Sequence, residues 1–146
     1  MGTAFFRSGI EPNYEHPLNA GGGCFRSLIY GTTENDELLA KFDQIFHILI
    51  GDFANSPNKD LINGIFVLCK INQKTKFNND YSNPTNLPFI LKLEAWIRKC
   101  SKKQQKYIKQ ALNENIVEKA KQMGLPEPFP FNYYLHIQNL NKPKWY

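Results

Sequence analysis

Over residues 89–99 the chain reads F-I-L-K-L-E-A-W-I-R-K, so that Leu93, Ala95 and Ile97 alternate with Lys92, Glu94, Trp96 and Arg98. A period of two predicts a β-strand with one apolar, packed face and one face carrying an amine, a carboxylate and an indole. The same alternation recurs over residues 24–30, where Phe25, Ser27 and Ile29 oppose Arg26 and Leu28. A β-branched and aromatic run over residues 63–71, a short run over 3–9 and a closing run over 131–138 complete the predicted strands.

A helical period appears twice. Thr33 followed by Asp36 is an N-cap with an acid three residues on, and Leu38, Leu39, Phe42, Ile45, Phe46, Leu49 and Ile50 then form one apolar stripe up to Gly51. Ser101 caps the second helix, whose stripe is Ile108, Leu112, Ile116, Ala120 and Met123, stopped by Gly124 and Pro126. The segments over residues 9–23, 54–60 and 72–88 hold Pro, Gly, Asn and Ser without periodicity and predict surface loops. This order predicts an α+β fold, a mostly antiparallel sheet with helices over one face and the other face open. A chain of 146 residues suits a single domain spanning residues 1–146.

Composition narrows the function more than the fold. No apolar run approaches the ~18 residues of a membrane span, and the N-terminus lacks the basic-then-apolar layout of a signal peptide, so a cytoplasmic location without membrane association is expected. Cys24, Cys69 and Cys100 are odd in number and far apart, with neither the short paired spacing of a zinc site nor the even count of a disulfide framework, which predicts reduced thiols and no metal. A net charge of +5, from 15 Lys and 3 Arg, suits a polyanionic partner or a solvated lysine surface equally.

Enzymatic motifs are missing: there is no G-x-S-x-G, Walker loop, H-E-x-x-H or C-x-x-C, and A-G-G-G-C lacks the spacing of a phosphate-cradling loop. His16, His47 and His136 are widely separated, and a Cys24–His16 nucleophile pair has no third group to orient it. What remains is Tyr14 beside Glu15 in the first loop, Trp96 on the busy face of its strand, and Lys70, Lys74 and Lys76 at a strand end and beyond. Aromatic faces with a carboxylate at their edge and lysines nearby meet the needs of a flat, cationic, phosphorylated ligand such as a methylated purine nucleotide.

The order of these stretches carries a resemblance. S-G-I-E-P-N-Y-E-H-P-L-N-A-G-G-G-C-F resembles the loop of the eukaryotic translation initiation factor 4E family, the messenger-RNA cap-binding proteins, with its G-I-E-P-M-W-E-D pattern followed by N, G-G and an aromatic. Downstream, L-L-A-K-F-D-Q-I-F-H-I-L-I-G-D-F is similar to the family helix ending L-I-G-E-x-F, and I-N-G-I-F-V-L-C-K-I-N-Q-K to the C-G-A-V-V-x-V-R strand. K-L-E-A-W-I-R-K-C is similar to the strand ending I-A-I-W-T, and M-G-L-P-E-P-F-P-F-N-Y-Y-L-H to the G-L-P turn with the last strand. In that family a methylated, positively charged guanine lies between two tryptophans, and the glutamate after one of them accepts two hydrogen bonds from the base edge.

The resemblance implies that Tyr14 is the stacking wall, Glu15 the base-edge acceptor and Trp96 the ring beside the methyl group. It also implies that Lys70 binds the phosphates, with Lys74 and Lys76 as the second basic contact. The implied protein is a non-enzymatic binder of capped mRNA, without cofactor, acting in translation initiation or its control and partnered by a 4G-like scaffold. The alternative is a 4E-like interaction module that has lost cap binding and works through its helical face or sheet edge. Tyr14 stands where the family has tryptophan, and the resemblance begins at the family's third strand. The expected fold is therefore a curved sheet with helices on its convex face, lacking the first strands, the first helix, the other tryptophan wall and the dorsal tryptophan that grips the scaffold. Tyr133, Tyr134, Trp145 and Tyr146 are the candidate donors of a second wall.

Overall fold

The alternating segments pair into one curved, five-stranded sheet of order β1-β3-β4-β2-β5. The computed structural model describes residues 2–34, 40, 43–51, 56–71, 86–122, 124 and 130–136. The strands are β1 (Gly2–Phe6), β2 (Gly23–Glu34), β3 (Ile62–Ile71), β4 (Asn86–Ile97) and β5 (Asn132–Leu135). Each neighbouring pair is antiparallel. Helix α1 (Pro17–Ala20) precedes β2, α2 covers residues 43–51, and α3 (Lys102–Gln122) connects β4 to β5. The α+β architecture expected from the sequence is the observed one.

The period of two fixes what each face does. Phe25 and Ile29 of β2, Ile65, Val67 and Cys69 of β3, and Leu91, Leu93, Ala95 and Ile97 of β4 lie in one buried cluster with Ile45 and Leu49 of α2 and Ile108, Leu112, Ile116 and Ala120 of α3. The four α3 residues recur at i, i+4, so each turn of the helix sets one apolar side chain on the sheet. Register puts the alternate residues together on the opposite face: Trp96 opposite Cys24 and Gly64, Glu94 opposite Arg26 and Phe66, Lys92 opposite Leu28 and Leu68. Helices cover one face; the chemistry is gathered on the other.

The cap expected at Ser101 is reciprocal. The Gln104 N–H donates to Ser101 Oγ at 3.1 Å, and the Ser101 N–H donates to Gln104 Oε1 at 2.9 Å, so two donors that a helix start leaves orphaned are satisfied. Two details depart from the expected loops. Residues 86–88 are already strand, with Asn86, Leu87 and Pro88 opposite Glu34, Thr33 and Thr32 on β2, because the missing Pro88 donor matters only on one side of the strand. The first loop contains a single helical turn, α1, which Pro17 opens at its first position and His16 caps. Phe42 and Met123 lie outside the described residues.

Candidate functional site

The loop between β1 and β2 is held to the sheet by buried amides. Asn19 is fully buried, and its Nδ2 donates to the Glu11 and Asn13 carbonyls, both at 2.9 Å. Asn63, also fully buried, donates from Nδ2 to Asn19 Oδ1 at 2.9 Å and to the Leu18 carbonyl at 2.8 Å, and accepts from Arg98 Nε at 3.2 Å. A bulge between Ile62 and Gly64 inserts Asn63 into β3 without a partner in register and so frees it to turn toward the loop. His16 Nδ1 accepts from the Leu18 N–H at 3.2 Å, so its Nε2 donates to the Gly9 carbonyl at 3.1 Å. His16 is thereby a structural pin, and Gly9, at φ 83°, takes the left-handed turn that lets the loop depart from β1.

This network delivers Tyr14 onto Trp96. Their rings are stacked, with centroids 4.8 Å apart and planes 10° from parallel. Trp96 is 4% exposed, with the edge of Phe6 against it at 5.3 Å and the ring of His136 at 4.5 Å. Gly64 makes room for this packing, since any Cβ there would run into the Phe6 ring. Holding a planar base between two rings requires them ~7 Å apart, twice the van der Waals contact, so in this conformation Trp96 fills the inner face of Tyr14. Glu15, the next residue, is exposed, and no described residue bonds its carboxylate.

Two buried polar atoms beneath the stack have no partner among the described residues: Trp96 Nε1 and His136 Nε2. The His136 Nδ1–H donates to the Asn19 carbonyl at 2.8 Å, which leaves Nε2 as an acceptor, while the indole N–H is a donor. Burial holds His136 below its ordinary value of 6.5, against the pull of the Asn19 hydrogen bond and Glu94, so the ring is neutral at pH 7.

Charge runs along the open face away from this stack. Glu94 is 3% exposed and takes Arg26 Nε at 2.8 Å and Nη2 at 2.7 Å on one carboxylate oxygen. Burial alone would lower the guanidinium, but Glu94 outweighs it and holds Arg26 above its ordinary value. Arg26 also lies over the Tyr134 ring, 4.8 Å from the centroid. Cys24 Sγ donates to Glu94 at 3.3 Å, and burial together with that carboxylate raises the thiol far above its usual range. With His16 engaged elsewhere, Cys24 is no nucleophile. Lys92 is lowered by burial, with Glu94 acting against it and the cations Arg26 and Lys70 with it. By register Lys92 is four residues from Trp96 and Lys70 is six from Gly64, or ~13 and ~20 Å at about 3.3 Å per residue.

The structure thus unites Tyr14, Glu15 and Trp96 at one end of the open face and sets Lys70 far along it. Lys74 and Lys76 lie outside the described residues, as do Trp145 and Tyr146. Tyr133 packs against Phe25 on the helical side, 5.2 Å between centroids, so it is no second wall, and the Tyr134 ring carries Arg26. Arg26 and Lys92 share this open face with Trp96 and are not among the basic residues singled out from the sequence; the alternation that puts Lys92 on the face of Trp96 is the signal. A groove lined by Ala40, Asp43, Gln44, His47 and Ile48 lies along α2 and contains none of these residues.

An open antiparallel sheet with helices on one face and an aromatic loop over the other is the fold of the eIF4E cap-binding proteins, and this chain has it. It is similar to C. elegans eIF4E-3, solved in complex with the 4E-binding protein Mextli, at 15% identity and a TM-score of 0.61, over 98% of this chain and 68% of that one. It is also similar to Ascaris suum eIF4E-3 solved with the m7G cap (17%, TM-score 0.54) and with the m2,2,7G cap (17%, 0.53), covering 98% and 92% of this chain. The chain spans 66% and 62% of the Ascaris suum protein in those two structures, less than two thirds of its length. No protein-family model and no curated protein matches the sequence.

Proposed function

We propose that the protein binds the 7-methylguanosine cap of messenger-RNA 5′ ends, without catalysis, in translation initiation or its control in the cytoplasm. The observation that carries this reading is the delivery of Tyr14, by a buried amide network, onto Trp96 on the helix-free face of an eIF4E-fold sheet, with Glu15 exposed beside it. Methylation gives the guanine a positive charge, and a cation over a ring face is favoured most where water is excluded. Tyr14 and Trp96 part to admit the base, or Tyr14 takes it on its outer face. Glu15 then accepts from the donors on the base edge. The phosphates run toward Lys92 first, because it lies nearer the stack than Lys70, whose longer reach suits the distal end of the chain of phosphates.

Retention on immobilised 7-methyl-GTP tests this. The bound protein is expected to elute with the free methylated nucleotide and not with GTP; equal elution by both sinks the cap reading. Glu15→Ala is expected to weaken retention roughly ten- to a hundredfold, the cost of leaving edge donors unpaired. Unchanged binding by that variant would put the base elsewhere.

A second reading follows from the closed stack itself. With Trp96 4% exposed and the inner face of Tyr14 covered, the fold suits an interaction module that no longer takes a cap and works through its helical face or sheet edge. Its partner would be a scaffold or 4E-binding protein on the helical side, of the kind bound by the C. elegans neighbour. Loss of retention with intact folding would favour it.

A further inference from the structure

The lysines of α3 stand where helix stability would not put them. Lys99, Lys102, Lys103, Lys106 and Lys109 are all exposed, and no acidic residue occurs anywhere in residues 99–113. Those 15 positions hold the whole net charge of the chain, because the remaining 13 cations are matched by 13 acids. The first turn of α3 has no acid, although the partial positive charge of a helix start favours one. Lys102 and Lys106 form a like-charge i, i+4 pair, and Lys103–Lys106 and Lys106–Lys109 form i, i+3 pairs, each of which opposes helix formation. The last turn, by contrast, carries Lys119 and Lys121 where cations are welcome. Local choices that work against the fold mark a surface kept for something else.

The arrangement is a stripe. Lys102, Lys106 and Lys109 follow one line up the helix at i, i+4, i+7, and Lys103, Tyr107 and Gln110 follow the next. Tyr107 is 56% exposed, a ring standing free between amines. Below the helix, the Lys99 side chain passes over Gly21, 3.7 Å from where a Cβ would be, at the end of the loop that carries Tyr14. The stripe therefore starts where the first loop meets the end of β4 and runs from there up the helix. The apolar residues of α3 are committed to the core, so the outward face has no aliphatic surface to insert into a bilayer. Amines at one-turn spacing with an exposed ring among them fit a strand of phosphates with unpaired bases.

We propose that the outward face of residues 99–110 binds single-stranded RNA, with Lys99, Lys102, Lys103, Lys106 and Lys109 on the phosphates and Tyr107 stacking on a base. This site is separate from the cap slot and does not depend on it. The salt dependence and anisotropy of a fluorescent, uncapped RNA of about 15 nucleotides test it. Neutralising four phosphate contacts with K102Q/K103Q/K106Q/K109Q should lower affinity at least tenfold at low salt. It should also flatten the slope of log K against log salt by about 3, at ~0.7 per contact on a single strand. Tyr107→Ala should weaken binding roughly five- to a hundredfold with the slope unchanged.

All these side chains are exposed, so both variants should keep the wild-type circular dichroism and their retention on 7-methyl-GTP; Tyr107→Ala should keep the melting temperature, and the quadruple variant should melt at or slightly above wild type because its like-charge pairs are gone. A quadruple variant that binds RNA like wild type, with the same salt slope, overturns the proposal. So does wild-type binding to polyglutamate or to phosphatidylserine vesicles as tightly as to RNA with no effect of Tyr107→Ala, since the face would then be a generic cation surface. RNA binding without cap retention would sink the cap reading and leave this one standing.

Discussion

Asn19 shows what a single side chain contributes here. Its amide group satisfies the Glu11 and Asn13 carbonyls in part-buried bonds and receives Asn63, and both asparagines are at zero exposure, so removal takes a partner from the loop carbonyls on one side and from the buried Asn63 amide on the other. Asn19→Ala is expected to destabilise the protein by about 2–4 kcal/mol, read by urea unfolding, from two or three orphaned groups at about 1–3 kcal/mol with partial relaxation. A loss below ~0.5 kcal/mol would mean that water replaces the amide. Little of this was legible in the sequence. Tyr14 and Glu15 were readable because they are adjacent and sit in an ordered motif. Asn19, Asn63 and His136 carry no period, and they meet across sequence separations of 44 and 117 residues that only the finished sheet closes. The stacking of Tyr14 on Trp96 was equally hidden, since spacing says which face a ring is on and not what lies against it.

At the level of elements, alternation decided most of the fold; of the two expected caps, Ser101 starts α3, whereas Thr33 is still strand, paired with Leu87 because β4 extends β2 that far. β4 was readable as a strand with one packed and one polar face because Leu93, Ala95 and Ile97 are buried by the helices while Lys92, Glu94 and Trp96 are not. Its early start at Asn86 was not readable, because Asn and Pro argue for a turn and only pairing with β2 overrides them. The place where β1 crosses β3 depends on one missing side chain. Gly64→Ala would drive a methyl into Phe6 and displace it from the edge of Trp96, and is expected to cost about 1–3 kcal/mol. The expected signature is lower stability to urea with altered Trp96 emission; wild-type stability would mean that Phe6 repacks freely.

For the whole molecule, the acid limb of stability follows from His136. The unfolded chain takes up a proton near 6.5, whereas burial delays this in the fold, so below about pH 6.5 the unfolded state binds more protons and stability falls. Above that pH the group is neutral in both states and contributes no slope. Glu94 and the Asn19 carbonyl favour the proton and Arg26 opposes it, and burial outweighs them. His136→Asn, which keeps a donor for Asn19, should reduce the loss between pH 6.5 and 5 by up to ~1.4 kcal/mol per pH unit, measured by unfolding at each pH. An unchanged limb would assign it to other groups. The contact between Tyr14 and Trp96 carries a different consequence, one of populations. An aromatic pair of this kind is worth about 0.5–1.5 kcal/mol, so a slot it closes is open in roughly 7–30% of molecules. A guest that must enter between the rings then binds about three- to fourteenfold more weakly than the open slot would allow. Affinity for a planar cation is set by how these two rings hold each other as well as by how they hold the guest.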